Sequence, residues 1–301
     1  MMRKVFKITL FVGVFILGQN LPSLASDKVG TTGAAFLKIP CGARAIGMGG
    51  AFGAVADDAS CIYWNPAGLV QLTKKEATFT YLDYFEEMSF GYVGYAHPTT
   101  AGTFGWAISY LGHEKIEGYD VYAKPTGGYQ ANDTAIALSY ARGVGKEFSL
   151  GGNIKYINEK IEDEQATGFA IDLGGLYKIE NFSLGLAVQN LGTEIKFVEK
   201  GDPLPLNFRL STAYRLFNDK FTLAVDGNLP NDKDTYFNVG GEYWILSSLA
   251  ARVGYRGGPK DEGNSVCGGI GLRWKNLGLD FAYEPYGRFG DTYYYSLITR
   301  F

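Results

Sequence analysis

The residues of this 301-residue chain able to carry chemistry are few: two histidines, His97 and His113; three cysteines, Cys41, Cys61 and Cys267; the adjacent carboxylates Asp57 and Asp58; and a glycine run, Gly47, Gly49, Gly50 and Gly53. Ser109 and His113 can approach each other at one rim of a sheet. A strand-to-loop spacing does not position a nucleophile and its base, however, and no Gly-x-Ser-x-Gly turn occurs. Two separated histidines and scattered cysteines give no metal-ligand spacing, so neither a metal nor another cofactor is expected. The glycines superficially suggest a dinucleotide loop, but that fingerprint needs a βαβ unit, and none follows. Close packing against a crowded wall suits them better. Asp57 or Asp58 is expected to cap a short helix through Ile62 and Tyr63, with Pro66 and Gly68 ending it. Cys41 and Cys61 can pair in an oxidising compartment or simply pack as small residues, while Cys267 sits alone in a predicted strand.

A second set of reactive groups is periodic. Arg209, Asp226, Glu242, Arg252, Arg273 and Asp280, with Lys155, Asp172, Lys178, Glu284 and Arg300, all fall on one face of segments whose other face is apolar. In a dry core so many charges would be prohibitive, so they imply water, mutual pairing or an inserted polar element. The segments alternate with period two: Phe182, Leu184, Leu186 and Val188 against Ser183, Gly185, Ala187 and Gln189; Leu277, Leu279, Phe281 and Tyr283 against Gly278, Asp280, Ala282 and Glu284. About fourteen such segments are expected, near 77–84, 88–97, 102–111, 134–144, 148–159, 168–179, 182–191, 206–216, 220–228, 235–244, 249–255, 265–274, 277–284 and 292–301. That pattern is all-β and matches a transmembrane antiparallel β-barrel.

Composition agrees: 41 Gly, 20 Phe and 21 Tyr suit many short strands with tight turns. A net charge of −3, with no basic runs, argues against nucleic acid as a partner. Residues 1–25 read as a signal peptide, with Arg3, Lys4 and Lys7 before an apolar core and Ser23-Leu24-Ala25 before the cut. Tight connections alternate with longer polar ones, as in outer-membrane barrels with short periplasmic turns; the short 85–87 connection is the exception. Both termini are then expected in the periplasm. Aromatic residues gather at two levels, Tyr177, Tyr214, Trp244, Trp274, Phe301, Phe148, Phe182 and Phe221 at the short-turn rim, and Tyr110, Tyr156, Tyr255 and Tyr283 at the other. The terminal strand, ending in Phe301, resembles the signal read by the barrel-assembly machinery, and outer-membrane lipid is the expected surrounding partner.

Residues 26–75 are different in kind: rich in Gly and Ala, poor in aromatic alternation, and punctuated by Asn65-Pro66-Ala67-Gly68. They read as a short N-terminal hatch in the lumen of a barrel spanning 76–301. Arg44 to Phe52, Ala56 to Ser60 and Tyr63 to Leu69 closely resemble the N-terminal region of the PorV/PorQ family and, more loosely, the hatch of the FadL-like outer-membrane proteins. The resemblance implies a fourteen-stranded barrel with an inserted hatch and no enzymatic activity. Two functions follow from it, a hatch-gated conduit for hydrophobic small molecules and a type IX secretion or surface-assembly component that handles a secreted cargo protein. An outer-membrane hydrolase is the minor alternative. For a conduit, residues 47–53 are expected to rearrange.

Overall fold

The computed structural model describes residues 30–84, 88–113, 116–258, 265–287 and 290–301. The expected signal peptide and the short 85–87 connection lie outside them. No described helix is long and apolar enough to cross a membrane.

In chain order the strands are β1 (Glu76–Asp83), β2 (Met88–Thr99), β3 (Gly102–His113), β4 (Ile116–Tyr119), β5 (Pro125–Tyr129), β6 (Ala131–Val144), β7 (Phe148–Ile161), β8 (Glu164–Ile179), β9 (Phe182–Gly192), β10 (Ile195–Lys196), β11 (Gly201–Asp202), β12 (Asn207–Leu216), β13 (Phe221–Pro230), β14 (Tyr236–Leu246), β15 (Leu249–Arg256), β16 (Ser265–Trp274), β17 (Leu277–Pro285) and β18 (Asp291–Arg300). Fourteen of them form a closed antiparallel barrel in which β1 pairs with both β2 and β18. Closure removes the free edge that lipid could not satisfy. The two remaining pairs, β4–β5 and β10–β11, are small hairpins within long connections, too short to register as alternation in the sequence.

Alternation decides the wall. Along β8, Phe169, Ile171 and Leu173 are exposed while Ala170, Asp172 and Gly174 are buried. Two expected girdle residues do otherwise. Trp244 points to the lumen side, its ring 5.7 Å beneath the Arg273 guanidinium, because it shares parity with inward Glu242 and the register shifts only after it. Phe182 is buried, flanked in the register by Ile179 and Tyr214.

The core is the hatch. It holds 3-10 turns at Ala35–Lys38 and Pro66–Gln71 and short helices at Ala43–Gly47 and Cys61–Trp64. Its first described residues sit at the long-loop rim: Gly33 donates to the Pro203 carbonyl at 3.1 Å and Thr32 to Asp232 at 2.8 Å. Its end reaches the opposite rim, where Phe301 donates to the Lys75 carbonyl at 3.0 Å. The first described residues of the hatch and Phe301 therefore lie at opposite rims. The hatch threads the whole lumen before feeding β1.

Candidate functional site

An apolar wall face turned to lipid leaves the inward polar face to be satisfied by whatever fills the lumen. On the short-turn side the hatch supplies Arg44, the one cation between Cys41 and the end of Pro66–Gln71. Its guanidinium makes two 2.8 Å bonds to the Glu242 carboxylate and reaches Asp57 at 2.6 Å and Asp58 at 3.3 Å. Arg215 holds the other oxygen of Asp57 at 2.9 Å. Beyond Glu242, Arg252 bonds it at 2.7 Å and Asp280 at 2.7 Å, and Arg273 closes on Asp280 at 2.8 Å. Seven charges thus alternate in sign from β12 through the hatch to β14, β15, β17 and β16. Burial pushes the Asp57 carboxyl up, but Arg44 and Arg215 hold it below its ordinary range. The sequence leads one to expect that Asp57 or Asp58 caps the helix through Ile62 and Tyr63. Instead Ser60 is the cap position without a side-chain cap bond, and Asp58 accepts from the Ser60 amide at 3.0 Å in an Asx turn.

A second set of bonds satisfies the hatch backbone. Asp226 accepts from the amides of Phe52 and Gly53 at 3.2 and 2.9 Å. Arg209 donates to the Trp64 carbonyl at 3.0 Å and lies 4.8 Å over the Trp64 ring. Asn65 accepts from the Ala67 amide at 3.2 Å, capping Pro66–Gln71, and donates to the Gly53 and Gly175 carbonyls at 3.0 and 3.2 Å. Pro66 and Gly68 therefore open a second turn rather than ending the first, with Pro at the first helical position where its missing N–H costs nothing.

Two patches of wall have no room for side chains. A Cβ on Gly49 would lie 2.7 Å from the Tyr255 amide nitrogen, and one on Gly254 would collide with Gly49. Across the lumen, a Cβ on Gly151 would lie 2.5 Å from the Pro66 carbonyl carbon, and one on Gly174 would collide with Asn65. Gly47 and Gly269 face each other more loosely, a Cβ on either lying 3.2 or 3.1 Å from the other's Cα, and Gly50 faces Asn238 and Trp64. Ala67 is fully buried. All three cysteines are free and buried, which leaves Cys41 and Cys61 as packing residues.

Arg209, Asp226, Glu242, Arg252 and Asp280 are all buried within the lumen, whereas Arg273 stands at the short-turn mouth. Arg44, Arg215, Lys38 and Asp232 were not singled out from the sequence. Arg44 left a signal, because a lone cation in a buried Gly/Ala stretch requires carboxylate partners. Ser109 and His113 share the inward face of β3 four residues apart, about 13 Å by strand rise, too far for a nucleophile–base pair.

At the long-loop rim the hatch does not fill the lumen. It leaves a vestibule of about 250 Å³, walled by Tyr63, Tyr84, Tyr286, Gln189, Asn207, Asp232 and several basic side chains. Lys38 bonds Asp232 at 2.7 Å, Lys155 bonds Asp172 at 2.7 Å and Asn190 at 2.7 Å, and Arg256 bonds Glu284 at 2.7 Å. Asn190 has φ +61° and is the extra residue of a bulge in β9, which turns its amide onto Asp172 at 2.8 Å. Beside the vestibule a narrow apolar cleft of about 30 Å³ lies between hatch residues Phe36 and Ile62 and wall residues Phe90, Tyr92 and Ala107.

Solved structures share this architecture. The Pseudomonas putida toluene transporter TodX is similar with a TM-score of 0.62 and 11% identity, covering 92% of this chain and 98% of that one. A Pseudomonas aeruginosa FadL homologue gives a TM-score of 0.59 at 12% identity, covering 93% and 100%. The monoaromatic hydrocarbon channel CymD gives 0.63 at 12%, covering 85% and 96%. These likenesses show the fold alone. In sequence, a UPF0164 protein of Treponema pallidum is 28% identical over 181 residues, 54% of this chain; the match spans 44% of that relative's length. Residues 23–230, hatch and most of the barrel together, match the family described as "Type IX secretion system protein PorV", and the chain belongs to that family.

Proposed function

We propose that this barrel serves protein secretion at the bacterial outer membrane, offering its external loops to a secreted cargo protein while the hatch keeps the lumen sealed. The observation that carries this reading is the seal. Passage through the lumen would have to break the seven-charge chain around Arg44 and Glu242 and pull the hatch off both wall patches where backbone meets backbone. Interaction is then left to the long-loop rim, taken as extracellular, with the short turns and Phe301 periplasmic. There the β4–β5 hairpin projects Val121 and Tyr122 with 93% and 81% of their surfaces exposed. Exposed apolar side chains above the lipid belt suit a protein partner. Membership of the PorV family supports the same reading.

The test is co-purification of secreted proteins bearing the C-terminal sorting domain from cells of the source organism. Val121→Asp with Tyr122→Asp should abolish capture while leaving heat-modifiable barrel migration intact. Undiminished capture by that variant, or a genome without a type IX apparatus, would sink the reading.

A hatch-gated conduit for hydrophobic small molecules is favoured by one observation, the apolar cleft against Phe90 and Tyr92, on a fold shared with TodX and CymD. The cleft has room for about one or two waters, so residues 47–53 would have to rearrange before a hydrocarbon entered. Mass spectrometry of the purified barrel tests this, and a consistently ligand-free preparation rejects it.

A further inference from the structure

The vestibule wall does not suit a hydrocarbon, and it does not suit an anion. Lys38, Lys155, Arg209 and Arg256 each face it, and each is already neutralised inside the protein by Asp232, Asp172, Asp226 and Glu284 respectively; Lys233, the fifth cation of the wall, is also engaged within the protein. An incoming carboxylate or phosphate would have to displace a resident carboxylate from its cation, stranding a buried charge. A hydrocarbon would leave the polar wall without partners. What the wall does offer is spare acceptors and ring faces.

Two vestibule residues have oxygens without a partner. Asp232, its side chain wholly buried, uses Oδ2 for Lys38 and Thr32, while its Oδ1 has no bond. Asn207 donates to Gln189 and Asn228, each at 3.1 Å, while its Oδ1 has none. Buried acceptors are rarely left unmatched, so each calls for a hydroxyl donor. Around them stand Tyr63 and the edge-to-face pair Tyr84–Tyr286, with centroids 5.9 Å apart. Aromatic faces pack against the apolar C–H faces of a ring while their polar tips bond its edge. At about 250 Å³ the space is below the roughly 300–1,000 Å³ that holds drug-sized ligands, and suits one or two small rings.

The geometry points to a neutral carbohydrate as the vestibule's ligand, its hydroxyls donating to Asp232 and Asn207 and its ring stacked on the tyrosines. This site is separate from the exposed tip of the β4–β5 hairpin, and the hatch supplies part of its wall through Lys38 and Tyr63. A free sugar and the terminal sugar of a surface glycan share the required chemistry.

The test uses the full-length mature protein in a detergent without a sugar headgroup, because maltosides would compete. Trp64, whose ring lies 5.0 Å from that of Tyr63, reports binding by fluorescence. The probes are glucose, galactose, maltose and maltoheptaose, with dodecanoate and toluene as the opposing classes. Saturable binding of at least one sugar is expected, at least tenfold tighter than dodecanoate or toluene. Asn207→Leu and Tyr286→Ala should each weaken it about tenfold, with heat-modifiable migration confirming a folded barrel. Equal affinity for maltose and maltoheptaose assigns the site to a glycan end, and preference for the short sugar to a free one; either supports the inference. Binding of dodecanoate or toluene but no sugar overturns it, as does sugar binding unchanged in both variants or the absence of any binding.

Discussion

Gly49 of the hatch lies so close to Tyr255 of β15 that a Cβ on it would stand 2.7 Å from the Tyr255 amide nitrogen, and its φ of +63° is one that side-chain-bearing residues rarely adopt. Space and backbone conformation both demand glycine there. Gly49→Val should therefore unseat the hatch, at a cost of at least the roughly 1–3 kcal/mol of overpacking, without preventing barrel closure. The expected result is new protease cleavage within residues 43–60 together with normal heat-modifiable migration. Loss of the barrel from the membrane would contradict this division.

Arg44 and Glu242 form the centre of the seven-charge chain, and their side chains are 11% and 1% exposed. Removing one partner strands the other, so Arg44→Met and Glu242→Gln should each destabilise the protein by about 3–5 kcal/mol. The double variant should lose clearly less than the sum of the two. Urea or guanidinium unfolding of the refolded barrel measures all three, and additive losses would show that the pair is not coupled.

Asp232 bolts the hatch to the long-loop rim through Lys38 and Thr32. Burial pushes its carboxyl up, but those two donors hold it below the ordinary value of 3.8. A carboxyl depressed on folding contributes stability above its unfolded pKa and loses it as pH falls through the folded one. Amide protection of residues 31–38 should hold at pH 5–7 and fall only below about pH 4. In Asp232→Asn it should be low throughout, and wild-type protection unchanged at pH 3 would disprove the bolt.

Cys41 and Cys61 are fully buried, and burial raises both thiols well above their ordinary value. Reactivity needs an exposed thiolate. Maleimide should therefore leave both untouched at pH 8 in the native barrel and label both after denaturation. Native labelling of either would mean that the hatch opens on the timescale of the reaction.

Asn65 ties together three segments of the molecule through one carboxamide, which both donates and accepts. Asn65→Asp keeps the cap acceptor but loses the donor to Gly53 and Gly175 and buries a charge. It should be more harmful than Asn65→Ser, which keeps a smaller cap. Thermal unfolding of the two variants gives the order, and equal midpoints would remove the bridging role.

The barrel is legible in the amino-acid order alone, because a strand's side chains alternate with period two and a membrane wall must be apolar on one face. Leu186, Ile154 and Val253 therefore declare their side without any partner in view. The hatch is legible too, because a Gly/Ala stretch ending in Asn65-Pro66-Ala67-Gly68 cannot continue that alternation. What the hatch touches is settled only once the chain has folded. The partners of Arg44 lie 13, 14 and 198 residues away in the chain, and no local pattern encodes such separations. The same holds for Trp244, whose parity outweighed its composition, and for Thr32 and Asp232, which place the start of the described chain at the long-loop rim. The vestibule was illegible for the same reason: a cavity is what remains where side chains from distant strands fail to meet, and failure to meet leaves no mark in a sequence.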